Sequence, residues 1–254
     1  MIPLPRDLQY RILKRISPDG GEAASQCKPA AFEGARKIDV LLGKELLDCI
    51  RGKTVIDFGC GGGREAVEFA RSGATRVIGL EIVEDILVQA RKRADEAGVG
   101  HICTFAARTD VRADVIVCLD AFEHFPDAAG ALRIMDELLV PEGEVIFSFG
   151  PPWLHPLGGH LFSVFPWAHL LFSESAFMRW RSTFKTDGAT RFEEVSGGLN
   201  RMTIRRFERL VAASPFRFAA FEALPIRKLR LLHNRWTREF ITAAVRGRLV
   251  KRAR

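Results

Sequence analysis

The stretch Val55-Ile-Asp-Phe-Gly-Cys-Gly-Gly-Gly63 joins a short apolar run to a turn made mostly of glycine. Its first part predicts a buried strand over Thr54–Phe58, and the following Arg64–Ser72 has helical spacing and stops before Gly73. In open parallel sheets, small ligands bind at the carboxyl ends of the strands, where such a turn presents backbone N–H groups and a helix N-terminus. The stretch therefore predicts a strand–turn–helix unit with a ligand at the turn.

Strands and helices continue to alternate downstream. Apolar patterning predicts further strands at residues 76–80, 102–106, 114–119, 144–149 and 216–224, with an edge strand at 247–251. Helices are predicted at residues 83–97, 128–139 and 203–213. Alternation at this pitch is typical of a parallel sheet covered by helices on both faces. The predicted fold is α/β, a doubly wound, mostly parallel, seven-stranded Rossmann-like sheet.

Breaks in this pattern divide the chain into four parts. Residues 1–50 are predicted to form an N-terminal arm, loop-like over 1–30, and a helix over Phe32–Ile50, and residues 51–150 the ligand-binding core. Residues 151–202 interrupt the alternation and are rich in Pro, Trp, Phe and His. A segment of that length in a compact domain is normally functional, so we predict a helical and aromatic lid after the fifth strand. Residues 203–254 would complete the core and end in a basic amphipathic tail.

Composition restricts the class of protein. The chain has 254 residues, of which 47% are hydrophobic and 27% charged, as in ordinary globular proteins. Its five cysteines are widely spaced, without a C-x-x-C pair or a nearby histidine cluster, which predicts reduced thiols and no metal site. The N-terminal residues lack the features of a signal peptide, and no apolar run approaches the about 20 residues that span a bilayer. These observations predict a cytoplasmic protein.

Positive charge is concentrated near the C-terminus. The whole chain has a net charge of +7, and residues 201–254 hold 15 Lys and Arg against 3 Asp and Glu. Apolar residues in Leu229–Val245 recur at about helical spacing among arginines, which predicts a basic amphipathic helix. Two interpretations stay open: the helix contacts an anionic membrane, making the protein membrane-peripheral, or its apolar stripe packs on the sheet while the arginines stay solvated. The sequence leaves the oligomeric state open.

Two acids define the ligand expected at the glycine turn. Glu81, at the end of the second strand, can accept hydrogen bonds from both hydroxyls of a ribose, which indicates an adenosine-containing cofactor. Asp57 precedes the glycines, whereas the dinucleotide fingerprint G-x-G-x-x-G has no acid there, because a carboxylate would oppose a pyrophosphate. A ligand with an ammonium and a sulfonium suits Asp57 better than one with phosphates.

Three motifs together resemble one known superfamily. They are Val55–Gly63, Gly79-Leu-Glu-Ile82 and Asp114-Val-Ile-Val-Cys-Leu-Asp-Ala-Phe-Glu-His124. Residues 50–150 are similar to the class I S-adenosylmethionine-dependent methyltransferases, in the branch that methylates small molecules. The resemblance implies the Rossmann-like methyltransferase fold, S-adenosylmethionine as cofactor and S-adenosylhomocysteine as product.

The resemblance also implies roles for single residues. Asp57, Gly59 and Gly61 would line the methionine and ribose part of the cofactor, and Glu81 would take the ribose hydroxyls. Ile82 would pack on the adenine, and Leu119 and Asp120 would face the cofactor after the fourth strand. The family often has an acidic pair at the end of the third strand, where this chain has Ala107-Arg-Thr-Asp110.

Histidines are the candidates for the acceptor side. Methyl transfer to a hydroxyl requires alignment, exclusion of water and a general base. His124 follows the fourth strand, where the methyl group should emerge, and is our candidate base; an architectural role is the alternative. His155 and His160 in the lid are candidates for an acceptor pocket, or else they cap loops among the lid aromatics.

These features predict a methyltransferase that moves a methyl group from S-adenosylmethionine to an oxygen, nitrogen or carbon of a small or lipid-like metabolite. Gly150-Pro-Pro-Trp153 is similar to a motif of nucleic-acid amino-methyltransferases, but it follows the fifth strand and lacks the amide or acid of that motif, so nucleic acid is not the predicted acceptor. The alternatives are an S-adenosylmethionine-binding regulatory or RNA-associated protein and an NAD(P)-dependent oxidoreductase.

Overall fold

The chain forms one seven-stranded sheet. The structure is a computed structural model and describes residues 4–20, 49–195 and 197–253. The strands are β1 Thr54–Phe58, β2 Arg76–Leu80, β3 Cys103–Ala106, β4 Ala113–Leu119, β5 Leu139–Phe149, β6 Phe216–Pro225 and β7 Thr242–Lys251. Their order in the sheet is β3-β2-β1-β4-β5-β7-β6. Strands β1 to β5 pair in parallel, and β7 pairs antiparallel with both β5 and β6. The predicted α/β class and the mostly parallel seven-stranded sheet are confirmed.

Eight α-helices flank or precede these strands in the described residues. They are α1 Arg6–Ile16, α2 Arg64–Arg71, α3 Glu84–Glu96, α4 Ala128–Leu138, α5 Ala168–Leu171, α6 Glu174–Arg181, α7 Ile204–Ala212 and α8 Arg238–Ile241. Helices α2, α3, α4 and α7 lie within a residue or two of their predicted bounds. The helix predicted over Phe32–Ile50 lies outside the described residues except for its last two positions.

The central strands β1, β2 and β4 are buried on both faces of the sheet, which explains their nearly continuous apolar sequences. Successive strand residues point to opposite faces, so Ile56 and Ile116 join the core under α4 and α7. Their neighbours Val55 and Val115 join the core under α2 and α3. Burial of two faces requires helices on both sides, which is the doubly wound arrangement.

The segment after β5 has a hydrophobic core of its own. Phe162, Phe177 and Trp180 are fully buried there, and the core also takes in Leu13 from α1. The Trp180 indole donates to the Ser17 carbonyl at 2.7 Å, which fastens the end of α1 to the lid. The loop-like arm predicted over residues 1–30 is therefore wrong for residues 6–16, because an amphipathic helix forms between the prolines and packs on the lid.

The C-terminal prediction also needs correction. No single helix covers Leu229–Val245: a 3₁₀ helix spans Arg227–Leu232, α8 is short, and β7 begins at Thr242. β7 is not an edge strand, since it lies between β5 and β6. Arg246 pairs with Glu222 of β6 at 2.6 Å and Arg248 with Glu144 of β5 at 3.5 Å, so both neighbouring strands supply partners for its charges. Among the described residues, no helix is long and apolar enough to cross a membrane.

Candidate active site

The glycine turn lies at the topological switch point of the sheet, where the strand order reverses. β1 has β2 on one side and β4 on the other, and ligands of doubly wound sheets bind outside the carboxyl ends of strands at such a switch point. The N–H groups of Gly59 and Cys60 donate to the Leu80 carbonyl at 2.9 and 3.0 Å, which holds the turn against the end of β2. Gly59 and Gly61 have φ values of +81° and +47°, which explains the need for glycine.

A cavity of about 400 Å³ opens above this turn, within the usual size range of small-ligand sites. Its lining includes Asp57, Gly59, Gly61, Leu119 and Asp120, all of them predicted cofactor residues. Arg64, Glu65 and Arg93 also line it, so three carboxylates and two guanidiniums surround one space. That donor set fits the methionine part of S-adenosylmethionine, which carries an ammonium, a sulfonium and a carboxylate.

Two of the three acids of the cavity, Asp57 and Asp120, are held by the ends of neighbouring strands. Asp57 belongs to β1 and is only 3% exposed. Asp120 follows β4 with a φ of +48°, a conformation that Asp tolerates better than most residues. Ser148 of β5 donates its hydroxyl to Asp120 Oδ1 at 3.0 Å, and the Ser148 carbonyl accepts from the Asp120 N–H at 2.9 Å. These two contacts with Ser148 hold Asp120 in place as part of the cavity lining.

Glu81 and Ile82 lie at the end of the adjacent strand β2. Glu81 Oε1 accepts hydrogen bonds from the N–H groups of Ile82 and Val83 at 2.8 and 3.1 Å, which orients its carboxylate. Ile82 is 85% exposed, which is unusual for a large aliphatic side chain beside a cavity. Neither residue is among those that line the 400 Å³ cavity, so the structure places this pair at its flank.

A second cavity, of about 260 Å³, is lined by His124 and His160, by four apolar side chains, by three charged ones and by Gly198. The centroids of the two imidazole rings are 5.5 Å apart, and the rings meet edge to face. His124 Nδ1 lies 2.9 Å from the Gly198 carbonyl. Because a carbonyl oxygen only accepts, Nδ1 carries the proton, and His124 Nε2 is left as the basic nitrogen.

His160 stays neutral at physiological pH. Burial, and after it the neighbouring His124, lower its pKa to about 4 in spite of smaller raising effects of the Pro151 backbone and of Asp120. His160 Nε2 is buried and has no hydrogen-bond partner among the described residues. Asp120 is thus close to both cavities, since it lines the first and acts electrostatically on a histidine of the second.

His155 and His169 have structural contacts instead. His155 is 8% exposed, and its Nδ1 accepts from the Leu157 N–H at 2.9 Å. His155 is not part of the lining of the second cavity, so the structure brings His124 and His160 together and leaves His155 apart. His169 Nε2 donates to the Trp153 carbonyl at 2.7 Å. For His155 the geometry favours the loop-capping interpretation.

The sequence did not indicate the residues that hold the His124 loop. Asn200 is 4% exposed, and its side-chain amide donates to the carbonyls of Phe122 and Phe125 at 2.7 and 2.8 Å. Glu123 Oε1 accepts from the Gly150 N–H at 2.9 Å, which ties this loop to the end of β5. Only a buried asparagine in a loop could have suggested the first contact, and burial is not visible in a single sequence.

Arg181, Lys185 and Asp187 of the lid also escaped prediction, and all three line the second cavity. Arg181 is buried and forms a bidentate ion pair with Asp187, whereas Lys185 is exposed. The pairing lowers the pKa of Asp187 to about 2. No grouping of three or more His, Cys, Asp or Glu able to hold a metal ion occurs in the described parts of the chain.

Comparisons with known proteins agree with this architecture. A family model described as a methyltransferase domain matches residues 32–218, more than half of the chain. The ubiquinone biosynthesis O-methyltransferase of Neisseria meningitidis serogroup C is 39% identical over 106 residues, which cover 39% of this chain and 44% of the relative. The protein of the same name from Sodalis glossinidius is 41% identical over 127 residues, covering 48% and 50%. The chain thus spans about half the length of the curated relatives it matches.

Solved structures share the fold at low identity. The cyclase SpnF matches with a TM-score of 0.56 and 14% identity, covering 100% of this chain and 99% of its own. Magnesium protoporphyrin IX methyltransferase from Synechocystis PCC 6803, solved with bound S-adenosylhomocysteine, matches with a TM-score of 0.52 and 16% identity over 96% and 93%. These likenesses concern the fold alone, since one fold hosts different chemistries. Together with the family match, they show that the chain belongs to the class I S-adenosylmethionine-dependent methyltransferases, whose cofactor is S-adenosylmethionine.

Proposed function

We propose that the protein transfers the methyl group of S-adenosylmethionine to a hydroxyl oxygen of a small or lipid-like, largely apolar acceptor in the second cavity. The observation that carries this proposal is the hydrogen bond from His124 Nδ1 to the Gly198 carbonyl, which leaves Nε2 free to accept a proton. A hydroxyl acceptor needs such a base. Leu161, Phe162 and Leu199 supply the apolar lining.

The first cavity would hold the cofactor. Asp57 and Asp120 would face its ammonium and sulfonium groups, and Gly59 and Gly61 let the backbone approach it closely. Glu81 Oε1 is held by the backbone, and the second carboxylate oxygen would accept hydrogen bonds from the ribose hydroxyls. The exposed side chain of Ile82 would cover the adenine. When bound, the cofactor supplies a methyl carbon already activated by its sulfonium.

His124 and His160 would then divide the work on the acceptor. His124 Nε2 would accept the proton of the acceptor hydroxyl as that oxygen takes the methyl group that the bound cofactor supplies. The positive charge that develops on His124 meets a neutral neighbour, because burial holds the pKa of His160 at about 4. Buried His160 Nε2 is available to orient the acceptor hydroxyl, and the lid excludes water.

The relatives support an oxygen acceptor, since they are named ubiquinone biosynthesis O-methyltransferases. The test supplies S-adenosylmethionine with a ¹³C-labelled methyl group and matched aromatic compounds that differ in one group, a phenol, an aniline and a hydrocarbon. We expect labelled methyl ether from the phenol, found by NMR and mass spectrometry. Label on nitrogen or carbon would contradict the choice of acceptor atom. Tight cofactor binding without transfer to any compound in a metabolite extract would favour a cofactor-binding regulatory protein.

A further inference from the structure

The connection between β6 and β7, residues 226–241, exposes large apolar side chains. Leu231 is 100% exposed, Trp236 68%, Leu232 61% and Phe240 45%. Isolated exposed apolar residues are common on protein surfaces, but four within ten residues of chain form a cluster. Such clusters mark contacts with a partner or a membrane.

Hydrogen bonds order this connection in a conformation that leaves these side chains exposed. The Ile226 N–H donates to the Ile241 carbonyl at 2.8 Å and closes its base. His233 Nε2 lies 2.9 Å from the Thr242 hydroxyl. Asn234 Oδ1 accepts from the Trp236 N–H at 2.8 Å and shapes the turn before α8. The exposed cluster is therefore presented by a hydrogen-bonded frame.

The same connection carries an excess of positive charge. It holds five Arg and Lys residues and one acid, Glu239. Glu239 is 4% exposed and accepts from the N–H groups of Ile204 and Arg205 at the start of α7, so its charge is directed inward. Arg238 pairs with Glu208 at 2.7 Å. The remaining cations, for which the described residues give no acidic partner, are Arg227, Lys228, Arg230 and Arg235.

The position of the β6–β7 connection follows from the directions of the strands in the sheet. β6 runs in the same direction as β5, because both are antiparallel to β7. β6 ends at Pro225, and the start of β7 faces the end of β5 through the pair Phe149 and Val245. The connection therefore leaves the sheet at its carboxyl edge, the edge that carries the cofactor turn and the lid.

We propose that the β6–β7 connection docks the protein onto an anionic lipid bilayer. Leu231, Leu232 and Trp236 would enter the boundary between headgroups and acyl chains, while the four cations named above neutralise the headgroups. This surface goes beyond the proposed function and does not depend on it. Docking at the carboxyl edge turns the edge that bears the catalytic cavities toward the bilayer, which gives an apolar acceptor a short route from the lipid phase.

Other occupants fit the surface less well. A second copy of the chain would bring two strongly cationic surfaces together, which opposes association. Single-stranded RNA binds cationic grooves through stacking on aromatic rings, but two of the four exposed side chains here are leucines, which offer no ring. A surface that is aliphatic and cationic at once matches a lipid headgroup region best.

Co-sedimentation of the full chain with vesicles tests this proposal. The vesicles contain either phosphatidylcholine alone or phosphatidylcholine mixed with phosphatidylglycerol. We expect binding to the anionic vesicles at low salt and release at high salt, because screening weakens the headgroup attraction. The triple variant Arg227→Gln, Lys228→Gln, Arg230→Gln should lower partitioning by about a hundredfold, at about fivefold for each cation removed.

Apolar insertion is tested by the double variant Leu231→Ser, Trp236→Ser, which should bind anionic vesicles about tenfold or more weakly. Val88→Ser is the matched control, since Val88 is 55% exposed on α3, and it should bind like the wild type. Calorimetry with S-adenosylhomocysteine must show unchanged affinity for every variant, which separates docking from the cofactor site. Equal binding to neutral and anionic vesicles would overturn the proposal. Tighter binding to an RNA oligonucleotide, or a dimer abolished by the double variant, would overturn it equally.

Discussion

Acidification should loosen the lid before the rest of the protein. Burial lowers the pKa of His155, His160 and His169 from 6.5 to about 4. The unfolded chain therefore takes up protons at these positions below pH 6.5 that the folded lid does not accept. Their contribution to the free energy of unfolding is complete above pH 6.5, falls as the pH drops from 6.5 to about 4, and does not fall further below that.

The size of the effect follows from these pKa values. At pH 5 each histidine lowers the free energy of unfolding by about 2 kcal/mol relative to its value above pH 6.5, so the three together lower it by roughly 6 kcal/mol. A typical domain has a free energy of unfolding of about 5–15 kcal/mol, so the lid should open or unfold well above pH 4. Folded states of proteins usually lose stability in acid through their carboxylates at lower pH.

Tryptophan fluorescence measures this directly, because Trp153, Trp167 and Trp180 all lie in the lid and only Trp236 lies elsewhere. Urea titrations between pH 7.5 and about 4.5 should show a falling midpoint that follows the histidine titration. His155→Asn keeps an acceptor for the Leu157 N–H and should make the decline shallower, whereas exposed His101→Gln should not change it. An unfolding midpoint independent of pH between 7 and 5 would refute this reasoning.

The remaining predictions concern the cofactor and the His124 loop. S-adenosylhomocysteine should bind with an affinity of about −8 kcal/mol, in the micromolar range, and NAD should not bind measurably by calorimetry; tighter binding of NAD would contradict the family assignment of the site. Glu81→Ala should weaken S-adenosylhomocysteine binding by about 1–3 kcal/mol through the loss of charge-assisted hydrogen bonds, and unchanged affinity would remove Glu81 from the site. Asn200→Ala leaves the Phe122 and Phe125 carbonyls without donors, so urea unfolding should show a loss of about 1–3 kcal/mol; a silent variant would show that other contacts hold this loop.

The central part of the fold was predictable because its signals are local. Strands β1 and β4 are buried on both faces, so their apolar runs are nearly continuous and their ends are marked by glycine or polar residues. The glycine turn was predictable for the same reason, since positive φ values at Gly59 and Gly61 demand that residue. Local sequence and tertiary structure require the same conformation in this region.

The two ends of the chain were predicted less well, for two physical reasons. Pro5 suggested a loop, but it stands at the N-cap of α1, where a missing N–H costs nothing, and the helix is stabilised by packing of Leu13 on the lid. Near the C-terminus the apolar spacing through Val245 suits a helix or a strand, and pairing with β5 decides for the strand. Such decisions depend on distant residues.

The candidate site shows the same division. Asp57 and Asp120 come from the ends of two strands that the sequence predicted, and they line one cavity. His160, the neighbour of His124, comes from the lid. Gly198, whose carbonyl selects the tautomer of His124, comes from the lid as well. Lid packing brings these residues together, and no periodicity in the sequence encodes it.

The role of His124 is the central claim, and single-turnover kinetics test it most directly. Enzyme saturated with ¹³C-methyl-labelled S-adenosylmethionine is mixed with the phenol that the acceptor screen identifies, and methyl ether is followed in wild type and His124→Ala. We expect a rate lowered about 10²–10⁴-fold in the variant, with S-adenosylhomocysteine affinity unchanged, because the imidazole acts on the acceptor proton alone. A His124→Ala enzyme that transfers the methyl group at the wild-type rate would contradict the account.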